Sequence, residues 1–202
     1  VVYTNAARVT VRYLYANGNE VAASQTVTGR IGESYRVTSP TVSDYTPDRT
    51  VCSGTYSAAD KTETVIYYPT VFRITYHPNG GIGAPASEGK YRKDVNYLSS
   101  TVPTRSGYRF LGWSRSATAT SASWSAGARY DGKTDVTLYA VWQAVTYTVR
   151  FDPNGGTGAP SARTKKHGTA LTLPDTVPTR SGYVFLEWNT TAAGDGISYA
   201  PG

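Results

Sequence analysis

Histidine, cysteine and paired carboxylates most often carry catalysis or hold metals, and this chain has few of them. Its only histidines are His77 and His167, and its only cysteine is Cys52. The two histidines sit at non-equivalent positions of an internal repeat, so a histidine triad or a two-histidine metal site would have to be assembled between modules. No GxSxG, HExxH, phosphate-loop or dinucleotide fingerprint occurs. Asp152-Pro153-Asn154-Gly155-Gly156 looks like the start of a calcium loop, but the counterpart of Asp152 is His77 and the later oxygen ligands are missing. A tight hairpin turn is the simpler reading. The expectation is a protein with no catalytic residues, no metal and no cofactor, held together by packing, since one thiol makes no disulfide framework.

Binding chemistry is the remaining class, and charge and aromatic rings are its carriers. The net charge is +6, with an uneven distribution. Residues 1–70 hold six Lys/Arg and six Asp/Glu (net 0), residues 71–144 hold nine and four (+5), and residues 145–202 hold five and four (+1). A nucleic-acid binder would carry a basic stripe along its whole footprint, so nucleic acid is excluded as the expected partner. Lys90, Arg92 and Lys93 recur at nearly the same repeat position as Arg163, Lys165, Lys166 and His167, in the connection after a Gly-Ala-Pro turn. Such a cluster is either a solvated loop or a weak site for anionic polymers such as sialylated or sulfated glycans or wall teichoic acids. Trp124 lies in the small-residue stretch Ser121–Ala126, read as a loop peculiar to the longer repeat, where an exposed ring is a contact candidate. Tyr108, Phe110 and Trp113, with their copies Tyr183, Phe185 and Trp188, offer flat faces for sugars. A module of about 70 residues without disulfides needs its largest rings inside, so the tryptophans of that set are expected in the core.

These residues must be positioned by short modules, and self-comparison finds them. A shift of 75 aligns Pro78–Gly81 with Pro153–Gly156, and Thr101–Tyr108 (TVPTRSGY) is repeated letter for letter at Thr176–Tyr183. Val71–Tyr76 and Tyr147–Phe151 alternate as strands toward Asn-Gly turns, second strands start at Tyr108 and Tyr183, and Asp135–Trp142 is a closing strand. After the tryptophans the spacing breaks, with 17 residues from Trp113 to Tyr130 against 11 from Trp188 to Tyr199, read as a loop of tolerated length, and residues 145–202 are expected to lack the last strand, a cut edge that truncation or a strand from another chain would explain. Residues 1–70 read differently: Val9, Val11 and Tyr13 alternate, Asn17-Gly18 turns the chain into a hairpin that opens a meander, Gly29–Tyr35 starts a short helix, and Thr62–Tyr68 closes the module. Val1–Thr4 resemble that closing strand, as the tail of a preceding copy. The expected division is residues 1–8 as tail or linker, then modules at 9–70, 71–144 and 145–202. Pro69-Thr70 and Gln143-Ala144 are short junctions, fitting a semi-rigid string. No apolar run approaches the roughly 18 residues of a membrane span, and residues 1–30 lack the order of a signal peptide, so any export signal or anchor is expected outside this segment.

Val9–Pro69, with its Asn-Gly turn, the central TVTGRIGESY and the closing VIYY, resembles a mucin-binding (MucBP-type) repeat. YHPNGGIGAP…VPTRSGYRFLGW…DVTLYAVW (Tyr76–Trp142) and FDPNGGTGAP…VPTRSGYVFLEW (Phe151–Trp188) resemble Listeria/Bacteroides repeats of the internalin-B type. Three positions depart from the pattern: His77 for an acidic or polar residue, Glu187 for glycine, and Cys52 as an insertion. The resemblance implies a β-rich α+β fold of tandem small β-grasp-like (ubiquitin-like) modules in an elongated array. It implies a non-enzymatic segment of a wall-anchored Gram-positive surface protein, extracellular, monomeric and part of a longer chain. Its implied partners are host or environmental mucin-like glycans and glycoproteins or wall polyanions, with a passive stalk as the alternative role.

Overall fold

Alternating apolar residues and Asn-Gly turns favour strands, and the computed structural model, which describes residues 5–202, has strands and no helix among them. The first module carries β1 (Ala6–Tyr15), β2 (Glu20–Arg30), β3 (Ser34–Thr38), β4 (Tyr45–Pro47), β5 (Val51–Thr55) and β6 (Lys61–Pro69). Next come β7 (Val71–His77), β8 (Glu88–Tyr91), β9 (Asn96–Tyr97), β10 (Tyr108–Ser114), β11 (Arg129–Tyr130) and β12 (Val136–Ala144). The last segment has β13 (Thr146–Val149), β14 (Arg163–Lys166), β15 (Trp188–Asn189) and β16 (Ser198–Tyr199). The expected tail at Val1–Thr4 lies outside the described residues.

Packing separates two units. The first runs through Tyr76 and adds Ala86–Ser100 and Gly127–Leu138. Its main sheet has the order β2-β1-β6-β4. β1 and β2 form the expected hairpin, Gly18 (φ 86°) donating to the Tyr15 carbonyl at 2.9 Å. β1 then pairs with β6 in parallel, Val9 opposite Lys61 through Tyr15 opposite Tyr67, so the chain crosses over instead of meandering. The alternation puts Val9, Val11 and Tyr13 beside Val65 and Tyr67 on one buried face, capped by Tyr35, Val37 and Cys52 from the β3–β5 pair. The helix expected over Gly29–Tyr35 is absent. Gly32 takes φ 89° and donates to the Tyr56 carbonyl, while the Arg30 amide donates to the Glu33 carboxylate, so a side chain and a distant strand tie the segment into a turn. The α component of the expected fold falls with it. In the same unit β7 pairs with β8 and β9 with β11, burying Phe72, Ile74, Tyr76, Leu98, Tyr130 and Leu138.

The second unit comprises His77–Pro85, Thr101–Ala126 and Tyr139–Gly202. β10 pairs with β12, β13 with β14, and β15 with β16, all antiparallel. Trp113 is fully buried and Trp188 is 9% exposed, both against a phenylalanine ring at 5.1–5.2 Å (Phe110 and Phe185). Asn79 (φ 49°) and Gly80 (φ 86°), like Asn154 and Gly155, make the Asn-Gly turn, whose two left-handed residues cost least with this pair. The turn does not lead straight back along its strand: Ile82 pairs with Thr104, and Thr157 with Thr179, each by two hydrogen bonds of 2.8 and 2.9 Å.

The break in spacing after the tryptophans disappears in three dimensions. Trp113 pairs with Trp124, and Trp188 pairs with Tyr199 in the same way, so the shift of 75 continues to Gly127 and Gly202. Trp124 therefore does not sit in a loop peculiar to the longer repeat, and Tyr199 occupies its place. Residues 128–144 of the first repeat supply β11 as well as β12.

Candidate ligand-binding surface

Most repeated residues are accounted for by folding. Arg105 lies over the Tyr108 ring with its guanidinium carbon 3.9 Å from the centroid and donates to the Asn79 carbonyl. Arg180 repeats this over Tyr183 at 4.2 Å, donating to the Asn154 carbonyl. The arginine of the TRSGY motif thus clamps the Asn-Gly turn, which is why the two motifs recur together. The two asparagines pin the far loop, donating to Ala117 and Ala192 carbonyls at 2.8 and 2.9 Å. His77 and Asp152 do one job: His77 Nδ1 accepts from the Asn79 amide at 3.0 Å and Asp152 Oδ1 from the Asn154 amide at 2.8 Å. A histidine replaces the acid because an acceptor is all the turn requires.

In the first module a buried carboxylate is fully engaged. Glu63 receives the Tyr35 hydroxyl at 2.6 Å, Lys61 at 2.8 Å and Arg49 at 2.9 Å. Hydrogen bonds from Lys61 and Tyr35 hold its carboxyl below the usual carboxylate range, against the opposing effect of burial. Burial pushes the Cys52 thiol up, which disfavours the thiolate needed for nucleophilic or metal chemistry. Both groups stabilise the module.

The basic candidates divide sharply. The connection expected after the Gly-Ala-Pro turn is a strand: Lys90 lies on β8, and Arg163, Lys165 and Lys166 on β14. Lys90 is paired with Glu88, and Lys93 with Asp94 at 2.8 Å. Arg92 is half-buried and donates to the Lys133 carbonyl at 2.7 Å. Trp124 is half-buried, with Arg115 over its ring at 5.6 Å. In the last segment, by contrast, none of Arg150, Arg163, Lys165, Lys166 or Arg180 forms an ion pair among the described residues. The register sets Tyr147 opposite Lys165 and Val149 opposite Arg163, and opposite residues of a pair share a face. Arg163 and Lys166 are exposed, Lys165 is half-buried and donates to the Thr169 carbonyl, and Tyr147 is 47% exposed. The structure thus brings Arg163 and Lys165 to one face with Tyr147, and puts Lys166 on the other. Sequence reasoning passed over Tyr147, although its alternation with Val149 placed it on that face.

A family model described as the MucBP domain matches residues 8–68, and one described as the Listeria-Bacteroides repeat domain matches residues 72–141 and 147–202, more than half of the chain. The chain belongs to the Listeria-Bacteroides repeat family. Its two repeats follow a MucBP domain. Internalin H of Listeria monocytogenes is 33% identical over 95 residues, covering 46% of this chain and 16% of that protein. Internalin I of the same species is 32% identical over 87 residues, 40% of this chain and 5% of that protein. The chain spans less than a fifth of the length of the curated relatives it matches. Among solved structures, a type 2 repeat of the mucus binding protein MUB from Lactobacillus reuteri aligns at 28% identity and a TM-score of 0.29, over 33% of this chain and 50% of that one. No helix among the described residues is long and apolar enough to cross a membrane.

Proposed function

We propose that this chain is a non-enzymatic adhesive segment of a bacterial surface protein, extracellular and anchored through other regions, that holds anionic glycans or glycoproteins weakly and gains strength by repetition. The observation that carries the reading is the β13–β14 ribbon: Arg163 and Lys165 share a face with the exposed Tyr147, and no carboxylate neutralises them, whereas Lys90 and Lys93 in the preceding repeat are paired. A ring beside unpaired cations suits a sulfated or sialylated sugar, whose apolar face stacks while its anion is drawn to the charges. The family match and the internalin relatives support the surface-protein part of the reading. We read the MucBP sheet, with β1 parallel to β6, as a β-grasp-like arrangement without its helix, a scaffold that leaves ribbon edges to do the binding. A spacer role is the second reading, favoured by the hydrogen-bonded junctions at Thr70 and Val145.

Binding to a glycan array and to heparin at varied salt tests this. Exposed charges are screened over about 8 Å at physiological salt, so affinity should fall steeply from low to physiological ionic strength. Arg163→Glu with Lys165→Glu should abolish binding, and Lys90→Glu with Lys93→Glu should leave most of it. Salt-independent binding, equal loss in both pairs, or no binding at low salt would leave the spacer reading.

A further inference from the structure

The junction between the MucBP domain and the first repeat closes a ring of hydrogen bonds. Asp44, just before β4, accepts the Thr70 amide on its carbonyl at 2.9 Å, and Thr70, between β6 and β7, accepts the Arg92 amide at 2.9 Å. Arg92 follows β8, and its Nε donates to the Lys133 carbonyl at 2.7 Å. Lys133, in the loop between β11 and β12, returns to the start, its Nζ donating to the Asp44 carboxylate at 2.8 Å. All four residues belong to one packed unit, and the Thr46 and Thr70 hydroxyls, 2.8 Å apart, tie the junction to β4 as well. The other cations lining the cleft beside Lys133 have acids of their own, Lys93 with Asp94 at 2.8 Å and Arg129 with Asp131 at 2.9 Å.

Asp44 has a φ of 62°, a left-handed conformation that glycine enters at least cost. The second junction uses glycine there. Gly107 (φ 74°) accepts the Val145 amide at 2.9 Å, and Val145 accepts the His167 amide at 2.8 Å, the same two backbone bonds. Gly107 offers no carboxylate to a cation, and His167, in the place of Arg92, lies with its ring against Tyr108 at 5.3 Å. The backbone of such a joint therefore does not require aspartate. What Asp44 adds over glycine is a carboxylate, and among the described residues its ion-pair partner is Lys133 of the neighbouring module.

We propose that the Asp44–Lys133 ion pair is a latch that holds the MucBP domain, β7, β8 and residues 129–138 as one body and releases them as ionic strength rises. While the pair is made, bending at Pro69-Thr70 must break another bond of the ring. Once the pair opens, the ring becomes an open chain and the joint pivots about Thr70. The Lys133 side chain is 51% exposed and that of Asp44 only 23%, so salt screens the cation while the acid stays placed by its turn. The joint is thus stiff at low salt and free to bend at high salt, which sets how the MucBP domain is presented to its surroundings.

The test measures residual dipolar couplings and amide exchange on the whole chain. In the parent at low salt one alignment tensor should fit the MucBP domain together with β7, β8 and residues 129–138, whereas Lys133→Met and Asp44→Gly should each require two. The Thr70 and Arg92 amides should exchange roughly tenfold faster in either variant, and no faster still in the double variant, because a ring opened once is not opened again. Taking the parent to about 1 M salt, where screening acts within about 3 Å, should move the same two amides in the same direction. The Val145 and His167 amides, held by equivalent bonds without a latch, should not respond. Two tensors in the parent, one tensor in both variants, additive effects in the double variant, or an equal response at Val145 and His167 would each overturn the latch. Should Asp44→Gly fail to fold, Lys133→Met and the salt series decide the matter by the same criteria. The result is independent of the glycan reading, since the β13–β14 ribbon takes no part in the ring.

Discussion

Gly112 is a position where one residue makes the two repeats unequal, since the last segment has Glu187 in its place. Its φ of 139° belongs to a region that only glycine enters readily, and it lies where the β10–β12 register slips between Phe110 and Gly112. A methyl group there would stand 2.3 Å from the Trp124 carbonyl oxygen and 2.8 Å from the Ala122 Cβ. That oxygen cannot recede freely, because it accepts the Trp113 amide at 2.7 Å. Gly112→Ala should therefore combine about 1–3 kcal/mol of backbone strain with about 1 kcal/mol for a weakened hydrogen bond. In a unit of some 70 residues each kcal/mol moves the melting point by about 4–8 °C, so calorimetry should show a transition lowered by on the order of 10–25 °C. Glu187 has no positive φ, and Glu187→Gly should cost less than about 1 kcal/mol, mainly through a freer unfolded chain. If Gly112→Ala melts within about 2 °C of the parent, or Glu187→Gly loses as much as it does, the strain argument is wrong.

Two further outcomes concern the cores. Trp113→Ala should cost about 3–5 kcal/mol in urea unfolding, because its ring is fully buried against Phe110, while Trp124→Ala should cost markedly less; equal losses would contradict the assignment of Trp113 to the core. Glu63 is held below its ordinary pKa, so its contribution to stability is present above the unfolded value of about 4.3 and is lost as pH falls through the lower folded value. Glu63→Gln should destabilise the MucBP domain by about 1–3 kcal/mol near neutral pH and flatten the acid limb of its stability profile, and an unchanged acid limb would rule Glu63 out as its source.

The strands, the Asn-Gly turns and the repeat itself were legible because each depends on local rules. Alternation fixes which side chains share a face, and Asn-Gly is the pair that best tolerates two left-handed residues. Burial of Trp113 and Trp188 followed from the size of a module that has no other large core. The helix over Gly29–Tyr35 was misread because the competing partners, Tyr56 and a side chain in the segment itself, make a turn that no local propensity records. The match of Tyr199 with Trp124 was missed because residues after the tryptophans share little identity, and only strand pairing reveals their common place.

For the candidate surface, composition and spacing located every cation and none of its partners. By sequence Lys90 and Lys165 are equivalent, since both lie one residue before the end of an edge strand. Tertiary structure separates them: Glu88 neutralises the first, while the counterpart of Glu88 in the last segment is Arg163. The sequence by itself determined the repeat, most of its strands, its Asn-Gly turns and the tryptophans that fill its core, because those features rest on periodicity and on backbone preferences. Only the tertiary structure decided which charges are cancelled and which side chains share a face of the β13–β14 ribbon, because ion pairing and strand pairing join groups far apart in the chain.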